Sequence, residues 1–313
     1  MNKYTSLGVT LCVSLGGLTI SLLKRTDFLM YVILIALSVV SMLFYSLILR
    51  RGALPEKAFR GSKYMLAISA VISSATSVAL ACSLITDTAV MHKSFLPQLV
   101  AITILFSLAI AISKDSAASK SAVVLSFFAV GVLAILMLLC FVETDFSPIT
   151  AGSLNIHLLL PLSAFSIFDI VFILPLINKN DGSMLLLGNT LSQIYMTALT
   201  LVAVSVLSGA LFNSAQMPLM RLWQSTYIAS FLSRFEIVAI CAFFILCAFK
   251  SGLVLKYSFN AFGKTCAVWI VILLITCCIG ILLYSGLVYL SAILSCISGV
   301  ILPLISLLRI KRY

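Results

Sequence analysis

Apolar residues fill long runs along this chain, and polar residues fall in the short breaks between them. Runs lie near 5–23, 28–49, 62–86, 96–112, 121–142, 157–177, 185–211, 231–256, 265–284 and 288–308. Most approach the roughly 20 apolar residues that a helix needs to cross about 30 Å of hydrocarbon. Lipid offers the backbone no hydrogen-bond partners, so each run is expected to be a helix. The pattern predicts an all-α integral membrane protein of ten transmembrane helices, with 1–313 as a single transmembrane domain. The run at 5–23 is full length and shows no small-residue cleavage site before Lys24 and Arg25, so it reads as a first span and not a removable signal. The longest connection, 212–230, is amphipathic and predicts a short helix lying across the outer face.

Composition agrees: 62% of the residues are hydrophobic and 9% charged, against about 25% charged in a soluble domain. The net charge of +11 would suggest nucleic acid in a soluble protein. Here it reports orientation, because Lys and Arg collect in cytoplasmic loops. With the N-terminus inside, the inner segments hold fifteen basic residues: Lys3, Arg50, Arg51, Lys57, Arg60, Lys63, Lys114, Lys120, Lys179, Lys250, Lys256, Lys264, Arg309, Lys311 and Arg312. The outer loops hold four, Lys24, Arg25, Lys93 and Arg221. This bias predicts N-in and C-in, with the lipid bilayer as partner and no nucleic acid.

The spacing of the runs halves the chain. The first, second and third runs recur as the sixth, seventh and eighth, which divides the chain into repeats at about 5–142 and 157–308. Five spans per half is an odd number, so the second half must be inverted. This is the five-plus-five inverted repeat (LeuT-like) of many secondary transporters, in which the first span of each half is discontinuous and its free helix ends face a ligand. The first run carries Gly16 and Gly17 near its centre, and adjacent glycines weaken a helix. The sixth, LLPLSAFSIFDIVFILPLI, carries Pro161, Ser163, Ser166, Asp169 and Pro175. Gly16, Gly17, Leu18, Phe165, Ser166 and Asp169 are therefore candidate ligand-binding residues. A packing glycine pair and an unrelated kink are the alternative. A carboxylate inside a span needs a partner or a cavity: Asp169 either holds a substrate ammonium, carries a proton, or makes a helix–helix hydrogen bond. Ser69, Ser73 and Ser77 form a hydroxyl stripe on the third span, with Thr76 beside it. Ser73 and Ser77 either line the pocket or pack on a neighbour.

Three further charges mark the eighth span. Arg234 sits at its outer mouth, Glu236 stands two residues inside, and Lys250 follows about 21 Å further along at 1.5 Å per residue. They are candidate coupling or structural charges; Lys250 either ends the span, snorkelling to the interface, or is buried in a longer helix. The nine cysteines lie in or beside apolar runs without metal-ligand spacing, and His92 and His157 stand apart at span edges. No GxSxG, HExxH or P-loop occurs. The expectation is no enzyme, no metal and no cofactor.

The segment MPLMRLWQSTYIASFLSRFEIVAICAFFILCAFKSGLVLKYS, 217–258, resembles the endospore germination permease family, the B subunits of nutrient germinant receptors within the amino acid–polyamine–organocation (APC) superfamily. Pro218, Phe231, Arg234, Glu236 and Lys250 match its pattern of a proline before an outer helical segment, a Phe-x-x-Arg-x-Glu-like start to the eighth span, and a late lysine. FILPLINKN, 172–180, is similar to the family's end of the sixth span. SKDSAASKSAVV, 113–124, resembles its fourth-to-fifth loop, with Lys120 where the family has arginine. The resemblance implies a transporter-like fold serving spore germination: an amino acid or similar small nutrient in the central pocket, germinant receptor A and C subunits as partners, and a multi-pass position in the spore inner membrane. An autonomous proton- or ion-coupled amino acid transporter fits the same fold.

Overall fold

In a computed structural model, residues 3–20, 28–87, 93–141, 156–214, 222, 235–263 and 266–310 are described. Helix dominates them, and no strand occurs among them. The helices are α1 (Lys3–Gly17), α2 (Phe28–Arg51), α3 (Ser62–Asp87), α4 (Leu96–Ile112), α5 (Asp115–Phe141), α6 (Ile156–Ser166), α7 (Gly182–Ser214), α8 (Phe235–Phe262), α9 (Ala267–Leu283), α10 (Leu287–Cys296) and α11 (Leu302–Ile310). A 3-10 segment, Phe168–Leu176, continues α6, and a π-helical turn, Ile297–Ile301, joins α10 to α11. Among the described residues seven helical stretches are long and apolar enough to cross a membrane; α4 and α9 are apolar but shorter. The amphipathic connection, 212–230, lies mostly outside the described residues.

The exterior explains the composition. Leu105, Ile112, Phe128, Trp269 and Leu283 are exposed on the surface. A soluble monomer rarely shows so broad an apolar belt; hydrocarbon accommodates it. Together the long helices and the belt fit a multi-pass membrane protein.

Inside, small residues let backbones approach, which is how helices associate where lipid removes any hydrophobic drive. Ser74 Oγ donates to the Ser251 carbonyl (3.0 Å), and Ser251 Oγ returns a bond to the Ser74 carbonyl (3.2 Å). Ser258 Oγ reaches Ala67 O (2.7 Å), and the Cys247 thiol reaches Ser77 O (3.0 Å). Because position rises on α3 as it falls on α8, the two run antiparallel. By contrast α4 runs parallel to α8, with Ser107 against Ala248 and Gly252 against Ile110. α1 lies between α5, α7 and α8.

Helix ends follow local chemistry. α8 closes at Gly263, whose φ of +79° is a left-handed cap and whose N–H donates to Phe259 O (3.0 Å). α8 also extends further than the eighth apolar run predicted, and Lys250 sits well inside it, fully buried. This corrects the placement of Lys250 among the inner-loop cations: the run's polar tail, KSGLVLKYSF, continues the helix and buries both Lys250 and Lys256.

Candidate ligand site at the helix breaks

α6 contains Pro161 and stops at Ser166, where bonding tightens to the 3-10 pattern that carries Asp169 in its first turn. At this change of register the carbonyls of Phe165 and Ser166 receive side chains from other elements. Lys250 Nζ on α8 donates to Phe165 O at 2.8 Å. Ser14 Oγ on α1 and Asn189 Nδ2 on α7 both donate to Ser166 O at 2.9 Å. Such side-chain donors are what a broken helix needs in an apolar interior.

α1 meets this break with bare backbone. A Cβ on Gly17 would overlap the Phe165 carbonyl and stand 2.6 Å from Ser166 N; one on Gly16 would stand 2.9 Å from Leu246 O. The helix ends at Gly17, followed by a turn at Leu18 and Thr19. The two glycines therefore mark a helix end and a close packing contact together, uniting the two alternatives read from the sequence.

At the centre stands an ion pair. Lys250 Nζ lies 2.8 Å from Asp169 Oδ2, with both side chains buried. Ser73 Oγ donates to the same oxygen at 2.6 Å. The ammonium also lies over the Phe165 ring, 5.1 Å from its centroid, a cation–π contact that strengthens on desolvation. Asp169 Oδ1 is buried without a hydrogen-bond partner. The partner that Asp169 demanded is thus Lys250.

A second tier of polar groups holds α6 from behind. Asn189 Nδ2 also donates to Ser14 Oγ (2.8 Å), Ser38 Oγ donates to Asn189 Oδ1 (2.5 Å), and Gln193 Nε2 donates to Ser166 Oγ (3.1 Å). Gln193 Oε1 is buried without a partner. Sequence reasoning missed Ser14, Ser38, Asn189 and Gln193. A signal was present: Asn189 and Gln193 are four apart in an apolar run, which places two amides on one helix face.

Gly16, Gly17, Ser73, Phe165, Ser166, Asp169 and Lys250 converge on the break. Leu18 is buried beside it. Ser77 lies one turn from Ser73 but donates to the Ser73 carbonyl (3.0 Å) and makes no described contact with Asp169. Glu236 belongs to the first turn of α8, but its side chain lies outside the described residues, as do Arg234, Phe231 and Pro218. His157 is exposed with its ring 6.5 Å from Tyr289. Among the described residues no three His, Cys, Asp or Glu side chains gather as a metal site.

Chemically, the pair joins a fixed cation to a carboxylate with one open oxygen. A zwitterion carries the complementary charges: its carboxylate suits Lys250 and its ammonium suits Asp169. Such a ligand would replace a desolvated contact with two others of the same kind, which would limit the desolvation cost of burying its charges. Searches against known protein families and curated proteins return no significant match for the chain.

Proposed function

We propose that this chain is a nutrient-sensing membrane subunit with a transporter-like fold, and that its ligand is an amino acid bound at the break between α6 and the 3-10 segment. The observation that carries the reading is the buried Lys250–Asp169 pair at a helix break against Gly16 and Gly17. The site does binding, not catalysis, and needs no metal or cofactor.

Packing supports a ten-span, five-plus-five inverted repeat. α2 pairs with α7 and α3 with α8, the counterparts in the two halves. The contact of α4 with α8 has its mirror in α9 with α3, and that of α1 with α5 in α6 with α10. The reciprocal Ser74–Ser251 bonds are what such a two-fold relation would give. Basic residues favour N-in and C-in. The resemblance at 217–258 supports a place in spore germination, with receptor A and C subunits as partners and the spore inner membrane as location. Ligand binding then shifts an equilibrium between two conformers, which a partner reads.

A second reading is an autonomous proton- or ion-coupled amino acid transporter. The open Asp169 Oδ1 favours it, being a buried acceptor available to a proton or cation. One experiment separates the two: equilibrium binding and uptake of labelled amino acids on proteoliposomes holding only this chain. Saturable binding without flux supports the sensor, and gradient-driven concentrative flux supports the transporter. Absence of saturable amino acid binding, or binding untouched by Asp169→Asn, overturns the assigned site.

A further inference from the structure

A groove on the outer surface is lined by none of the residues that converge on the helix breaks. It encloses about 630 Å³ between α4, α5 and α8. Its apolar wall includes Phe106, Ile110, Val124 and Phe249, with the Phe106 and Phe249 rings meeting edge to face at 6.3 Å. At the end nearest the α4–α5 turn its lining becomes polar, with Ser113 and Lys120.

The charges around that end are unbalanced. The turn has one acid, Asp115, and Lys256 on α8 takes it at 3.1 Å while donating to the carbonyls of Ala111 and Ser113. Lys120 is exposed and has no ion pair among the described residues; Lys114, also exposed, adds a second cation in the turn. The surface thus joins a hydrocarbon-lined slot to an unpaired ammonium at one end. A membrane offers one abundant molecule with that division, an anionic phospholipid. Basic pockets between membrane helices take such headgroups.

We propose that this groove is a binding site for an anionic phospholipid, with one acyl chain along Phe106 and Phe249 and the phosphate at Lys120. Occupancy bridges α4, α5 and α8, so the lipid braces the α8 segment that carries Lys250. The inference does not rest on the proposed nutrient ligand.

The test uses the delipidated full-length chain and phosphatidylglycerol bearing a photoactivatable acyl chain, with adducts mapped by peptide mass spectrometry. Labelling is expected on α4, α5 and α8 around the groove. Unlabelled phosphatidylglycerol should compete about five-fold better than phosphatidylcholine, as one lysine near the surface predicts. Lys120→Gln should lower that preference and Lys120→Gln with Lys114→Gln should abolish it, and Ala117→Phe should block labelling by filling the slot. These changes lie on the exposed face, and an unchanged melting temperature confirms the fold. Free glycerol phosphate should not compete, which separates a lipid from its headgroup. Label spread evenly over the apolar belt, equal competition by phosphatidylcholine, or an unaltered preference in Lys120→Gln overturns the proposal. So does cross-linking between two copies through a cysteine placed at Val124, which would make the groove a helix-docking face.

Discussion

Removing one member of the central ion pair leaves the other charged and buried. In Lys250→Met, Asp169 retains Ser73 as its one described donor, with Oδ1 still open. In Asp169→Asn, the ammonium retains the Phe165 carbonyl and ring but no counter-charge. Each single change should cost about 3–5 kcal/mol, the usual penalty for breaking a buried pair. The double variant removes both charges, and the amide that Asp169→Asn introduces still offers an acceptor to Ser73. Its main remaining loss is the donor to Phe165 O, about 1–3 kcal/mol for an unsatisfied buried acceptor. The pair should therefore couple by at least about 3 kcal/mol, more than a hundred-fold in the unfolding constant. Reversible unfolding of the four proteins in mixed micelles reads this directly. Additivity to within about 0.5 kcal/mol would refute the pair, because independent sites add.

Gly17→Ala should destabilise by about 1–3 kcal/mol through overpacking against the Phe165 carbonyl, whereas Gly131→Ala, with no heavy atom within 4 Å of the new Cβ, should stabilise by up to about 1 kcal/mol; thermal unfolding of both in one detergent checks the contrast. Ser73→Ala should weaken amino acid binding about ten-fold or more, the loss of one hydrogen bond of about 1.5–3 kcal/mol to a carboxylate, while Ser77→Ala leaves affinity unchanged in the same titration. Asn189→Leu should destabilise by about 1–3 kcal/mol, since Ser38 and Ser14 lose their shared partner; restored stability in Asn189→Gln would separate the bond from bulk.

The positions of the helices were legible because membrane helices announce themselves by apolar length. The break in the sixth run was legible too, since Pro161, Pro175 and Asp169 are each hard to place in a lipid-exposed regular helix. Lys250 was harder. Its run has polar neighbours, Lys250 and Ser251 then Lys256 to Ser258, and in one dimension these resemble a helix end. In three dimensions Ser251 and Ser258 donate to carbonyls of α3, Lys256 reaches the α4–α5 turn and Asp115, and Lys250 meets Phe165 O and Asp169. Asn189 and Gln193 were obscured differently: an amide in an apolar run carries no charge to demand a partner, so its role appears only once α1, α2 and α6 are packed around it. Hydrophobic pattern reports which segments are membrane-spanning candidates, and not which of their residues meet.

The Lys250–Asp169 contact has an electrical consequence. A membrane potential of 100 mV does about 2.3 kcal/mol of work on each elementary charge carried across it. Two opposite charges 2.8 Å apart present nearly none to that field, and a zwitterion seated on them adds none. If the helices that carry the pair rock, as in the proposed function, they would therefore move almost no charge along the membrane normal. On the proposed sensor reading, the equilibrium between their positions would respond to the concentration of the ligand and stay nearly blind to whether the membrane is energised.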